Sequence, residues 1–351
     1  MPKIDKLFHL LKERKGSDLH ISVGAPPLIR ISGELTPITS NILPQEETKK
    51  LLYEIMTPYQ QKTFEEDMES DFAYAVSGLA RFRANIFMQN RGIAAVFRII
   101  PEEILTVEQL KLPQQCLNFA KLHKGLVVVT GPTGSGKSTT LAALVDYIND
   151  TRSEHILTVE DPIEFVHQPK KCLINHREVG RHTHSFAAAL KSALREDPDV
   201  ILVGEMRDLE TIGLAITAAE TGHLVYGTLH TSSAAKTIDR IIDVFPGGQQ
   251  GQVRSQLSEA LKGVIAQILL KKVGGGRCAA LEIMAGNPAI GNLIREGKTY
   301  QIPSILQTSK GDGMQTMDMA LLELYNKKMI TAEDCIVRCI DKKSMRAQIG
   351  V

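Results

Sequence analysis

The stretch Gly131-Pro132-Thr133-Gly134-Ser135-Gly136-Lys137-Ser138-Thr139 constrains this chain more than any other, because it fits G-x-x-x-x-G-K-[ST] and directly follows the apolar run Leu126-Val127-Val128-Val129. A β-branched strand therefore feeds a glycine turn, and the turn opens a helical pattern carried by Leu141, Leu144, Val145 and Ile148. Strand, loop and helix in that order make a phosphate cradle. The glycines permit backbone angles closed to other residues, so peptide N–H groups converge on anionic oxygens at a helix N-terminus. In such a cradle Lys137 reaches the β- and γ-phosphates of ATP, and the Ser138 hydroxyl ligates Mg²⁺.

A chain of 351 residues has room for about two domains. Ile4, Leu7, Phe8 and Leu11 mark a short amphipathic helix ended by Gly16, after which Ser17 to Ile21 and Leu28 to Ile31 alternate like strands. A helical stretch from Glu46 to about Met56 follows, and Asp71 to Val76, Ala80 to Phe87 and Ile93 to Ile100 read as further strands. Residues 1–100 are thus expected to form a smaller α+β domain, with a linker over 101–113. From Gly125 onward strands alternate with helices: Ile156 to Val159, the helix Phe186 to Arg195, Val200 to Val203, and Leu224 to Tyr226. That alternation predicts an α/β, doubly wound domain over 114–351 with catalytic loops at strand carboxyl ends, and a tail from Glu282 that is mostly helical.

Charge and composition narrow the classes of partner. With 41 Lys and Arg against 40 Asp and Glu, a net charge of +1 gives no reason to expect a whole-chain polyanion partner, so no nucleic acid is expected. Nowhere do 18 apolar residues run uninterrupted, and the N-terminus lacks a continuous apolar core of the secretory type; the chain is expected to be cytoplasmic. Five Cys without a C-x-x-C pair speak against a disulfide framework or a zinc ribbon. Cys335 and Cys339 read as buried small hydrophobes, and His182 and His184 as loop or interface residues rather than a metal pair.

Three strand ends carry further chemistry. Val200-Ile201-Leu202-Val203-Gly204-Glu205 is an apolar strand ending in an acid, which presents a carboxylate to Mg²⁺ or to its coordinated water. The strand Ile156 to Val159 runs into Glu160-Asp161-Pro162-Ile163-Glu164, where one carboxylate could orient an attacking water; a solvated acidic turn is the plainer reading. Tyr226-Gly227-Thr228-Leu229 ends at His230, an imidazole placed to sense a γ-phosphate. In the first domain Arg81 and Arg83 share one face of a period-2 segment while Phe82 and Ala84 face the other way. Either these arginines form a solvated sheet face, or with Arg98 they are offered to nucleotide held by a neighbouring subunit, as fingers that stabilise transition-state charge.

The run Leu194-Arg195-Glu196-Asp197-Pro198-Asp199 through Val203-Gly204-Glu205-Met206-Arg207-Asp208 resembles the motif of secretion-superfamily ATPases, the hexameric motors of type II and type IV secretion and of type IV pili. Glu160 to Glu164 resembles the Asp box of that family, and Gly222-His223 through Gly227-Thr228-Leu229-His230-Thr231 its His box. The likeness runs nearly end to end, including Ser17-Asp18-Leu19-His20, and is strongest to the pilus-retraction branch. Chain length and the missing tetracysteine motif favour that branch as well. The resemblance implies a PAS-like N-terminal domain packed on the RecA-like ATPase domain of the next protomer, in a homohexamer at the cytoplasmic base of the pilus, against an inner-membrane platform protein. It implies that Glu164 polarises the water, that Glu205 serves Mg²⁺, and that His223 and His230 link nucleotide state to subunit contacts. One departure stands out: the branch typically reads Ala-Ile-Arg-Asn-Leu-Ile-Arg-Glu near its C-terminus, and this chain reads Ala289-Ile290-Gly291-Asn292-Leu293-Ile294-Arg295-Glu296.

The expected activity is Mg²⁺-dependent transfer of the ATP γ-phosphoryl group to water, harnessed by a ring to power type IV pilus retraction and twitching motility. An accessory retraction paralogue and a type II secretion motor are the alternatives within the family. A ring-shaped nucleic-acid translocase is the alternative of another class, disfavoured by the charge balance and the lack of an aromatic and basic strip.

Overall fold

A computed structural model describes residues 2–31, 33–100 and 103–350. The chain divides into two compact units, Met1–Glu103 with Pro162–Phe165, and Ile104–Asp161 with Val166–Val351. The linker expected from Pro101 begins outside the described residues. No helix among the described residues is long and apolar enough to cross a membrane.

In the first unit α1 (Asp5–Glu13) leads into β1 (Asp18–Ser22), β2 (Leu28–Ile31) and β3 (Glu34–Pro37), then α2 (Gln45–Tyr53), α3 (Pro58–Asp67), β4 (Glu69–Val76), β5 (Ala80–Gln89) and β6 (Gly92–Ile100). The described strands form an antiparallel sheet in the order β3-β2-β1-β6-β5-β4. Alternation decides its two faces. Phe82, Ala84, Leu19 and Phe97 are buried with Phe8 of α1, whose ring stacks on Phe82 at 4.1 Å and meets Phe97 edge-on at 5.1 Å. Arg83 and Arg98 stand directly across from each other on the opposite face, as the period-2 reading requires. Two elements escaped the periodicity argument. Every residue of β3 is exposed, and α3 is almost wholly polar, held at its start by Thr57 and Gln60 in a reciprocal capping box with Pro58 behind them.

The second unit starts with α4 (Gln114–Ala120), β7 (Gly125–Thr130) and α5 (Lys137–Thr151), followed by β8 (His155–Glu160), β9 (Leu173–Glu178), α6 (Phe186–Ala193), β10 (Val200–Val203), α7 (Leu209–Glu220) and β11 (Leu224–Leu229). Then come α8 (Ala234–Asp243), α9 (Gly247–Ala260), β12 (Leu261–Lys271) and β13 (Arg277–Ala285). The chain closes with α10 (Pro288–Arg295), α11 (Ile302–Thr308), α12 (Met317–Asn326), α13 (Ala332–Arg338) and α14 (Lys342–Ile349). The sheet order is β13-β12-β7-β11-β10-β8-β9, parallel apart from the β12–β13 pair.

Both faces of this sheet are covered. Leu126 and Val128 point into a core shared with α6 to α9, while Val127 and Val129 point into a second core shared with α4 and α5. The fold is therefore the doubly wound α/β arrangement the alternation predicts, with β7 at the point where strand order reverses and loops crowd the carboxyl ends. One expectation is corrected: Glu282 does not open a helical tail but lies inside β13, and the helices begin at Pro288. The hairpin β12–β13 was missed because both strands are buried, so their apolar runs lack the alternation that marks a half-exposed strand.

Candidate nucleotide site

The cradle forms where β7 ends. Gly131, Gly134 and Gly136 take positive φ angles of 145°, 78° and 87°, and Gly136 serves as the N-cap of α5. At Gly131 the requirement for glycine is also steric: a Cβ there would lie 2.2 Å from the Gln267 carbonyl oxygen and 2.7 Å from Ser135 Oγ. Lys137 is buried, and its Nζ donates to the carbonyls of Gly131 at 2.9 Å and Pro132 at 3.3 Å, so the ammonium lies across the loop. Ser135 Oγ is buried with no hydrogen-bond partner, at the centre of a loop whose N–H groups and helix dipole favour an anion. Pro132, Thr133 and Gly134 form the exposed rim, and Ser138 and Thr139 follow on the first turn of α5.

Two neighbouring strands bring charge to the same end of the sheet. Glu205 follows β10, where its carboxylate accepts from Arg207 at 2.6 Å and faces His230 Nε2 at 3.2 Å. The hydrogen bond from Arg207 is the main cause that holds the Glu205 carboxyl below its ordinary range, against the opposing effect of burial; the charges of Arg207, His230 and Lys137 act in the same direction. Glu205 is thus an anion within electrostatic reach of the cradle lysine. His230 follows β11, in register with the strand of the cradle: Leu229 pairs with Thr130. Thr231 N–H donates to Thr130 Oγ1 at 2.8 Å, and the two hydroxyls meet at 2.6 Å, tying the His230 loop to the residue before Gly131.

Four of the expected residues belong to the first unit, and one lies at the far end of β11. Glu164 falls in Pro162–Phe165, the segment that groups with the first unit, beyond the end of β8 at Glu160. Arg81, Arg83 and Arg98 lie on β5 and β6 of the first unit, where Arg83 pairs with Asp71 at 3.8 Å and Arg98 with Asp18 at 2.8 Å. The Arg83–Asp71 pair is exposed on both sides and stabilises little, about 0–1 kcal/mol, whereas Arg98 is held by a buried carboxylate. His223 precedes β11 at its opposite end, roughly 20 Å from the cradle at ~3.3 Å per residue, with its Nδ1–H donating to the Ala218 carbonyl at 2.9 Å. Gly291 lies on α10 where a Cβ would come within 3.1 Å of the Ser258 carbonyl of α9, so the arginine typical of this position would press on that backbone.

Four residues that touch the site went unread in the sequence. Arg207 lies inside the family motif but carries no strand-end or spacing cue. Thr130 and Thr231 look like ordinary strand and loop threonines. Gln267 had a usable signal, since it is the single amide in the apolar run Val264-Ile265-Ala266-Gln267-Ile268-Leu269-Leu270, and it is buried.

Known proteins share this arrangement. A family model described as type II/IV secretion system protein matches residues 4–311. The type IV pilus retractation ATPase PilT of Pseudomonas aeruginosa is 58% identical over 331 residues, covering 94% of this chain and 96% of that protein. A twitching motility protein of Neisseria gonorrhoeae is 56% identical over 320 residues, 91% of this chain and 86% of its own length. A crystal structure of the pilus retraction motor PilT with bound ADP matches with a TM-score of 0.91 at 49% identity, covering 97% of this chain and 98% of the other. Cradle, strand-end carboxylate and end-to-end likeness agree: this chain belongs to the type II/IV secretion system protein family, among its ATPases.

Proposed function

We propose that this chain is the Mg²⁺-dependent ATPase of a homohexameric motor that powers type IV pilus retraction from the cytoplasmic side of the inner membrane, acting on a membrane-embedded platform protein. The observation that carries the chemistry is the cradle itself, a glycine loop closed over Lys137 with an ionised Glu205 facing it. The likeness to two proteins named for pilus retraction and twitching motility supports the biological role. The residues fit a nucleotide phosphate. Gly131 keeps the loop floor free of side-chain atoms, and the buried, unpartnered Ser135 Oγ supplies a donor where a phosphate oxygen would sit.

In this reading the N–H groups of residues 133–138 and the Lys137 ammonium bind the β- and γ-phosphates and hold the γ-phosphorus in line for attack. Ser138 Oγ and the Glu205 carboxylate would hold Mg²⁺, which when bound offsets the charge of the phosphate oxygens. Glu164 orients the water and accepts its proton, so that P–O bond formation to water accompanies cleavage of the bond to ADP. Arg81, Arg83 and Arg98 belong to the first unit and approach the γ-phosphate by domain or subunit packing, where they stabilise the charge of the transition state. His230 beside Glu205 and His223 at the far end of β11 link nucleotide state to contacts between subunits. A test is ATP turnover by the purified chain with and without Mg²⁺, beside Lys137→Ala: turnover should need the metal and fall by orders of magnitude in the variant. Near wild-type turnover by folded Lys137→Ala would move the site elsewhere. DNA should not stimulate the rate, as it would in a translocase.

A further inference from the structure

We propose that Gln267 is a positioning residue of the nucleotide site, its carboxamide locking the Ser135–Gly136 turn of the cradle in the shape that accepts phosphate. Gln267 lies on β12, the neighbour of β7, one residue past the Ala266–Thr130 pair, so strand register carries it alongside Gly131. Its side chain is 3% exposed and hydrogen-bonded at both ends of the amide. Nε2 donates to the Ser135 carbonyl at 2.6 Å, and Oε1 accepts from Thr140 Oγ1 at 2.8 Å. Ser135 offers only an acceptor there, so the amide has one allowed orientation, and the Thr140 hydroxyl is the donor that satisfies its other end.

The consequence for phosphate binding follows from the planarity of the peptide. In a trans peptide the C=O and the following N–H point in opposite directions. Drawing the Ser135 carbonyl down onto Gln267 therefore turns the Gly136 N–H away from β12, toward the mouth of the loop. The second hydrogen bond ties the same amide to the first turn of α5 through Thr140, so one buried group fixes both the turn and the helix that follows it. The amide also fills the space beneath the loop: a Cβ on Gly136 would come within 2.9 Å of Nε2. Without the amide the Ser135 carbonyl is buried and unpaired, and the turn gains by rotating to find another donor, which turns the Gly136 N–H out of the site.

The inference rests on the nucleotide reading above, and the experiment separates the two. Titration of a fluorescent ATP analogue and steady-state hydrolysis are measured on the full chain for wild type, Lys137→Ala, Gln267→Met, Gln267→Glu, Thr140→Val and Thr140→Ser, with melting temperatures alongside. Gln267→Met keeps length and burial but neither hydrogen bond; Gln267→Glu sets a carboxylate oxygen against the Ser135 carbonyl. Both should weaken binding and raise KM about tenfold while kcat at saturating ATP changes by less than about threefold. Thr140→Val should weaken binding to a smaller extent, and Thr140→Ser should restore it. If Gln267→Met fails to fold, the Thr140 pair decides. Wild-type affinity in folded Gln267→Met and Thr140→Val overturns the positioning role, as does a loss confined to kcat and melting temperature. Undiminished hydrolysis by Lys137→Ala would instead overturn the nucleotide reading, whatever the Gln267 variants do.

Discussion

Alanine at Gly131 is expected to disable the cradle, whereas alanine at Gly134 in the same loop is expected to be tolerated. Both positions have positive φ, 145° and 78°, so both substitutions strain the backbone. Their surroundings differ. A Cβ on Gly131 would lie 2.2 Å from a backbone oxygen of β12, which no side-chain rotation relieves, while a Cβ on Gly134 meets nothing within 4 Å. For Gly134→Ala only the left-handed strain applies, about 1 kcal/mol, or roughly fivefold in affinity at 1.4 kcal/mol per tenfold. For Gly131→Ala the strain adds to overpacking against fixed backbone, together about 3 kcal/mol or more, and relief requires the loop to leave its phosphate-accepting shape. With that shape reduced to a minor population, apparent affinity falls about a hundredfold. Titrating each full-length variant with a fluorescent ATP analogue, with circular dichroism to confirm folding, measures both losses. Gly131→Ala binding within about fivefold of wild type, or Gly134→Ala binding more weakly than Gly131→Ala, would refute the steric account.

Glu164→Gln keeps size and polarity but loses the charge, so nucleotide affinity should stand while the steady-state rate collapses; weakened binding with intact turnover would remove Glu164 from the chemistry. Arg83→Ala protomers, inactive alone, should regain activity when mixed and reassembled with Lys137→Ala protomers, because some interfaces then pair an intact cradle with an intact arginine; a finger contributes roughly 10³ to 10⁵ in rate, so absence of recovery in mixed rings verified by mass spectrometry would refute action in trans. His167 tests the electrostatics of the loop after β8: burial, with the charges of His176 and Lys170, pushes it from 6.5 down to about 3. The unfolded chain therefore takes up a proton that the folded one refuses, so stability is full above 6.5 and is lost as pH falls toward about 3. Between about pH 7 and about pH 5 the loss should be about 2 kcal/mol in urea unfolding, and His167→Phe, which keeps a ring stacked on His176, should remove it; an equal loss in the variant would assign the effect to other groups.

The cradle was legible because its chemistry is local. One contiguous stretch, Leu126 to Ile148, dictates strand, turn and helix, and the structure sets all three where the spacing puts them. Glu205 and His230 were legible for a related reason: in a parallel sheet every strand delivers its C-terminal residue to the same edge, so an acid after Val203 and an imidazole after Leu229 must meet near the loop after Thr130. Harder to read was anything that depends on which strands become neighbours. Gln267 is 130 residues beyond Lys137, and only the pairing of β12 with β7 brings it under the loop. His223 shows the converse, since a motif shared with His230 in sequence spans a whole strand in space. The buried hairpin β12–β13 and the polar helix α3 were missed because one has no solvent face and the other scarcely has a core face, and periodicity needs both.

The central claim is that ATP hydrolysis in this cradle draws pilin back into the membrane, and the most direct measurement is fluorescence microscopy of labelled pili in living cells of the source organism. Cells carrying Lys137→Ala in place of the wild-type gene are predicted to extend pili at a normal rate and to accumulate surplus filaments that never shorten. Bald cells, or filaments that shorten at the wild-type speed and frequency, would contradict it.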